Sequence, residues 1–284
     1  MRRTAVWLSI LLSLVFFASA RAEAFPLGSI LQVARCNEFI TLRETPAKKT
    51  KVLRDLPLGT KVLSMGQEEG EFTLVRVAGA EGWAYTQYLD SAEEPEGEEI
   101  ALDTAAVIHM NLFLTVFTRQ GMRAYWREDE APGQTADFAF RHLALYEPEK
   151  AEQGEWPEGS LRVPVQEAEE LCRRYLGRPF TLATKSGYVR RGEWLYREGS
   201  DPIGSGGFAV TLGAEDLGEG RLRVRFSVYA SGETWEPEGV CMMSEKQAAR
   251  AYPHSTAGRG VAIVQTGGEL QDRAGWTLER FAEE

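Results

Sequence analysis

The 284-residue chain is poor in the side chains that most often carry chemistry. It has three cysteines, too few for a disulfide framework, and three histidines, too few for a histidine-rich metal site. His109, His142 and His254 are dispersed, with neither an H-x-H nor an H-x-x-x-H spacing among them. Basic residues do not dominate: 32 Lys and Arg stand against 42 Asp and Glu, for a net charge of −10. That balance argues against a nucleic-acid footprint or a polybasic membrane patch. No internal repeat and no long low-complexity tract breaks the chain. What remains is an ordinary globular composition, 43% hydrophobic and 26% charged, able to bury real cores.

The one long uncharged run is at the start. Arg2 and Arg3 precede Ala5 to Ala20, and small residues follow at Ala18, Ala20 and Ala22. A positive n-region, an apolar stretch and small residues at two candidate cleavage points describe a secretory signal peptide over residues 1–22. The run is shorter than the roughly 20 apolar residues that a membrane span needs. No cysteine lies near the cleavage point to take a lipid, and the fuller twin-arginine pattern is missing. The expectation is Sec-type export with cleavage after Ala20 or Ala22, a periplasmic or extracellular product, and no stable membrane insertion afterwards. Export places Cys36, Cys172 and Cys241 in a potentially oxidising compartment. Cys172 and Cys241 have apolar neighbours that suit either a disulfide or two buried thiols, and their pairing stays open.

Residues 91–99, SAEEPEGEE, hold five Glu with a Pro and a Gly, and read as a solvated acidic linker. They separate a segment at 25–90 from a larger one at 100–284. The first segment reads as short strands. Phe39, Thr41 and Arg43 alternate with Ile40 and Leu42, Gly59 sits at a turn, and a Gly79–Gly82 turn joins two later strands. About 60 residues of such strands suit a small closed barrel, which removes exposed sheet edges.

The second segment mixes element types. VIHMNLFLTVF, from Val107 to Phe117, is apolar and β-rich enough for a strand, with a helix as the alternative. TADFAFRHLALYEPEK predicts a helix capped by Thr135 and stopped before Pro148. VPVQEAEELCRRYLG predicts a helix with Val165, Ala168, Leu171, Cys172, Tyr175 and Leu176 on one face and Gly177 as its stop. Strands are expected over 192–197, 207–212, 221–230, 260–266 and 275–281. In RLRVRFSVY, Leu222, Val224, Phe226 and Val228 face one way and Arg221, Arg223 and Arg225 the other. Helices followed by an antiparallel meander make an α+β domain.

The first segment resembles a bacterial SH3 (SH3b) domain. The resemblance is carried by Leu42-Arg43-Glu44-Thr45-Pro46, by Val52-Leu53 with Leu56-Pro57-Leu58-Gly59, by Gly82-Trp83-Ala84-Tyr85 and by Tyr88-Leu89. It implies an SH3-like β-barrel, an accessory module of exported proteins whose members often bind cell-wall peptides. The second segment is similar to an uncharacterised family of exported bacterial proteins. The matching pieces are Asn111 to Thr118, Asp137 to His142, Tyr175-Leu176-Gly177, Gly192 to Tyr196, Arg223 to Tyr229 and Trp276. An asparagine usual in that family soon after its FAxxH piece is not evident, and the family implies no established activity.

No residue pattern points to catalysis. Cys172 lies deep in its predicted helix at a packing position, and Cys241 precedes Met242 and Met243 without a Gly or Ser elbow, so neither reads as an activated nucleophile. His109 and His142 read as packed side chains. GSGG at 204–207 lacks the ending of a phosphate loop and reads as a turn, as does Asp201 before Pro202. A pair of facing carboxylates cannot be read from spacing alone. The chain is therefore expected to be non-enzymatic, with no cofactor or metal. Its ligand residues are expected to be Arg43, Trp83 and Tyr88, where a planar cation and aromatic faces suit a peptide or sugar. The expected partner is a cell-wall peptide or an envelope protein. The competing class is a peptidoglycan hydrolase with an unrecognised active site in residues 100–284.

Overall fold

The computed structural model describes residues 25–92, 95–131, 133–154, 160–182, 187–197, 206–230, 237–253, 255–267, 270 and 272–283. The expected signal peptide, Asp201, Gly204 and His254 lie outside these residues.

Seven strands form the first sheet: β1 (Ile30–Val33), β2 (Phe39–Arg43), β3 (Val52–Pro57), β4 (Lys61–Glu69), β5 (Phe72–Val77), β6 (Ala80–Tyr85) and β7 (Leu89–Ser91). Their order is β3-β2-β6-β5-β4-β1-β7, and every pairing is antiparallel. No pairing joins β3 to β7, so the ladder is not closed into the expected barrel. The hairpin between β5 and β6 turns at Ala78 and Gly79, both at positive φ, two residues earlier than the Gly79–Gly82 turn expected from sequence. Two left-handed residues give the tight connection that matches the strand twist.

Beyond β7 the chain forms β8 (Glu98–Ile100), α1 (Thr104–Thr118), β9 (Ala124–Trp126), α2 (Gln134–Tyr146), β10 (Glu152–Gln153), β11 (Leu161–Pro164) and α3 (Val165–Leu176). Then come β12 (Tyr188–Arg191), β13 (Trp194–Arg197), β14 (Phe208–Asp216), β15 (Arg221–Tyr229), α4 (Pro237–Cys241), α5 (Glu245–Ala251), β16 (Thr256–Gln265) and β17 (Thr277–Glu283). Six strands make one antiparallel sheet in the order β8-β14-β15-β16-β17-β9, and four make a second, β10-β11-β13-β12. The architecture is α+β, as expected for residues 100–284. In β15, Leu222, Val224, Phe226 and Val228 are buried, and the arginines between them are half-buried or exposed.

Residues 107–117 are helical rather than extended. Asp103 caps α1 by accepting from the Ala106 amide at 2.7 Å, and the stretch has no Gly or Pro to break it. The helix is apolar around much of its circumference because it is covered around much of it. Met110, Phe113, Leu114 and Phe117 are nearly fully buried within one core that takes in α2, α3 and the six-stranded sheet. Periodicity cannot separate such a helix from a buried strand. The start of α2 also differs from expectation. Gly133 is its N-cap, and Thr135 sits in the first turn with its hydroxyl donating to Glu130 Oε1 at 2.7 Å. Gly177 ends α3 in the left-handed conformation, where a Cβ would be strained.

A polar bridge fixes α1 to its neighbours. Asn111 is fully buried; its Oδ1 accepts from the Thr211 amide at 2.7 Å, and its Nδ2 donates to the Cys241 carbonyl at 2.9 Å. One side chain thus joins α1, β14 and α4.

The two units share apolar contacts. Ile30, Leu63, Met65 and Leu74 of the first sheet form one cluster with Ala124 and Ala282 of the six-stranded sheet, and Trp83 and Trp126 pack against it. The acidic stretch between the units is flanked by structure: Ser91 ends β7, and Glu98 and Glu99 pair with Asp216 and Glu215. Pro95 and Glu96 are exposed between them. Limited proteolysis is expected to cut at Pro95–Glu96 and to leave two fragments that co-elute on gel filtration; separate elution would contradict a binding seam. Asn111→Leu leaves the Thr211 amide and the Cys241 carbonyl without their partner. It should lower unfolding stability by roughly 2–5 kcal/mol in urea titration, where isosteric loss alone would cost far less.

Candidate functional site

The first unit carries an open groove of about 610 Å³ at the end of its sheet, lined by Arg35, Asn37, Glu38, Phe39, Tyr85 and Tyr88 among others. Strand alternation builds one wall. In β2, Ile40 and Leu42 point into the core, which turns Phe39, Thr41 and Arg43 outward. Phe39 is left 47% exposed, unusual for so large an apolar ring. The tyrosines make the other wall. Tyr85 stacks 4.3 Å from the Phe72 ring and meets the edge of Tyr88 at 6.1 Å. Lys48 Nζ lies 5.7 Å from the Tyr85 ring and pairs with Glu71 at 2.9 Å.

Arg35 stands at the rim. Its φ of 55 is rare for a side chain with a Cβ. Its guanidinium donates to the Leu89 carbonyl at 2.7 Å and pairs with Asp90 at 2.7 Å, tying the loop before β2 to β7. The groove therefore offers two tyrosine hydroxyls, aromatic faces and one anchored cation, a set suited to gripping an extended peptide or a sugar face.

Of the three expected ligand residues, Tyr88 lines this groove. Arg43 and Trp83 are cross-strand partners in β2 and β6, and neither is among the lining residues. Arg43 Nη1 donates to the Thr50 carbonyl at 3.3 Å, which turns the guanidinium to its own hairpin. Trp83 packs into the seam between the units. Sequence reading missed Arg35 and Phe39. The outward phase of Phe39 was legible in the alternation of β2; nothing local marked Arg35, whose place depends on the loop and β7.

Of the residues weighed for catalysis, Cys172, Cys241 and His142 are buried and His109 is half-buried on α1. Cys172 and Cys241 are free thiols, and burial pushes both upward, Cys172 well above the ordinary range, which suppresses the reactive thiolate. Cys172 Sγ donates to the Thr135 carbonyl at 3.3 Å, and Cys241 Sγ lies 3.4 Å from Thr115 Oγ1. Among the described residues no group of three His, Cys, Asp or Glu is placed to hold a metal ion. His142 is 5% exposed, its ring stacked 4.7 Å from Tyr146 and 5.2 Å from Tyr175. Burial, with smaller contributions from Arg174 and Lys150, pushes it down to about 4.

No protein-family model matches the chain, and no curated protein or solved structure matches it.

The His142 environment sets a pH dependence. Between about pH 6.5 and 4 the unfolded chain takes up a proton that the folded chain refuses, so stability falls as pH drops through that window. Glu283 opposes it: burial pushes its carboxyl up to about 7, so its contribution is present at low pH and lost as pH rises toward 7. The two trends mask each other in the parent chain. Relative to His142→Phe, the parent should gain on the order of 3 kcal/mol between pH 4 and 6.5, read from urea midpoints. A difference that does not change with pH would contradict a neutral, buried His142.

Proposed function

We propose that this chain is an exported, non-catalytic binding protein of the bacterial cell envelope, acting in the periplasm or outside the cell. Its first unit is read as an SH3b-type module that holds a cell-wall peptide or a segment of an envelope protein. The observation that carries this reading is the aromatic groove, with Phe39 exposed beside Tyr85, Tyr88 and the anchored Arg35. Exposed aromatic faces next to a fixed cation are the chemistry of a recognition surface rather than of a reaction centre.

An SH3-like barrel is supported by the distribution of the first core. Leu31, Ile40, Leu42, Leu56, Val62, Val75, Ala84 and Leu89 come from all seven strands and form one cluster. A sheet that curls around one core gathers side chains from all its strands in this way. The acidic net charge favours a local mode of binding, since anionic wall polymers are repelled by the rest of the surface.

The test is co-sedimentation of the mature protein with purified cell walls and, separately, with delipidated envelope protein. Phe39→Ala with Tyr88→Ala should weaken binding by roughly tenfold or more while leaving the circular dichroism spectrum unchanged. Unchanged binding by that double variant would remove the groove from the account. Clearing of peptidoglycan in a zymogram by the purified parent protein would instead place the chain among wall hydrolases.

A further inference from the structure

A second cavity, of about 360 Å³, opens between the two units. Its walls come from four places in the chain: Arg76 on β5, Gln120 and Arg123 in the turn after α1, Phe138 on α2 and Tyr188 on β12. Its size is at the small end of the range for ligand sites.

Three observations set it apart from a packing gap. The first is Gln120. It is 4% exposed and lines the cavity, yet neither Nε2 nor Oε1 has a hydrogen-bond partner. Gln134 lines the same cavity and shows what a satisfied amide looks like there: its Oε1 accepts from the Ala131 amide at 3.3 Å, and its Nε2 donates to the Ala124 carbonyl. Buried polar atoms are nearly always paired, so an amide with both ends unpaired calls for a partner the chain does not supply.

The second is charge. Arg76 and Arg123 come from different units, line one cavity and repel each other. Among the described residues no carboxylate lies within ion-pair distance of either. Glu81 and Asp129 act on Arg76 only through space, and Glu283 acts in the same way on Arg123. Arg123 is exposed and Arg76 half-buried, and arginine keeps its charge, so both guanidinium groups are open to an anion from solution.

The third is the state of the one acid in the wall. Asp137 accepts from Arg141 Nε at 2.9 Å with both oxygens and from the Tyr188 hydroxyl. Its charge is taken up by Arg141, so it does not neutralise Arg76 or Arg123.

The geometry points to a site for the C-terminal end of a short peptide, with the terminal carboxylate held by Arg76 and Arg123 and the last amide bond paired with Gln120, whose enclosed amide turns into the cavity to meet it. A primary carboxamide presents an NH2 donor group and a carbonyl acceptor, which can pair with a peptide C=O and N–H. Two guanidinium groups are the planar forks that suit a carboxylate. Met122, half-buried in the wall, offers an apolar surface to the terminal side chain. The site is separate from the aromatic groove and stands whether or not that groove binds anything.

The experiment is calorimetric titration of the full mature chain with N-acetyl-alanyl-alanine, its C-terminal amide, acetate and inorganic phosphate. The acid is expected to bind, and the C-terminal amide to bind roughly tenfold or more weakly. Arg76→Gln and Arg123→Gln should each weaken the acid by a similar factor, and Arg76→Lys by less. Gln120→Leu should weaken the acid yet raise the melting temperature of the free protein, because it removes an unpaired buried amide. A Gln120 needed only for folding would lower that temperature instead, and this result would overturn the proposal. So would equal binding of acid and amide, no binding of the acid at about 10 mM, or phosphate binding that Gln120→Leu leaves untouched. The Phe39→Ala, Tyr88→Ala double variant should bind the acid as the parent does, which keeps a failure of the groove distinct from a failure of this site.

Discussion

The burial of α1 is the constraint on which the larger unit depends. A helix that is apolar over most of its surface has to be covered over most of its surface. Phe117 alone meets Phe113 at 5.3 Å, Phe138 at 5.4 Å, Tyr175 at 6.2 Å and Phe281 at 6.1 Å. Those rings come from α1, α2, α3 and β17, so one side chain reports on four elements at once. Asn111 and Thr115 add direction to this apolar contact. Thr115 Oγ1 accepts from the Ala209 amide at 3.0 Å, so with Asn111 it fixes the register of α1 along β14. Hydrophobic cover says that the helix is inside; the two polar groups say at which angle and height.

The seam between the units has a different character. Ile30, Leu63, Met65 and Leu74 meet Ala124 and Ala282 from the far side, with Trp83 and Trp126 at the margins. Small residues facing larger ones let two sheets approach closely, and Gly28, where an added Cβ would stand 3.3 Å from Val261 Cβ, belongs to the same close contact. Around this dry seam the surfaces diverge and turn polar. The cavity with Gln120, Arg76 and Arg123 opens there, and so does a wider cleft of about 530 Å³ lined by Arg127, Arg221 and Glu279. In that cleft the charges are matched: Glu279 pairs with Arg221 at 2.9 Å and with Arg127 at 3.5 Å. The smaller cavity differs in that Gln120, in its wall, has both amide atoms without a partner.

Local pattern reading was strongest where one face of an element meets one core. α3 shows this: its apolar face and its Gly177 stop were legible because one side is buried and the other solvated. β15 shows it for a strand, where the arginines alternate with Leu222, Val224, Phe226 and Val228. The reading was ambiguous where burial is two-sided, as in α1, because an element covered all round has no periodicity to read. The groove was half legible. Tyr88 is legible as a ligand residue and the alternation of Phe39 with Ile40 is legible in β2, but Arg43 and Trp83 are drawn away by the Thr50 carbonyl and by the seam.

The sequence by itself determined the α+β class of residues 100–284, the strand-rich nature of residues 25–90 and the acidic stretch between them. These follow from short-range rules of spacing, turn chemistry and charge, which act within a few residues. Tertiary structure alone decided that the units share a seam, that Trp83 serves it, and that Arg35 joins the aromatic groove. It alone decided that Gln120 is enclosed without a partner beside the cavity that Arg76 and Arg123 also line. Each of those facts depends on residues far apart in the chain, and no local rule carries a distance between them.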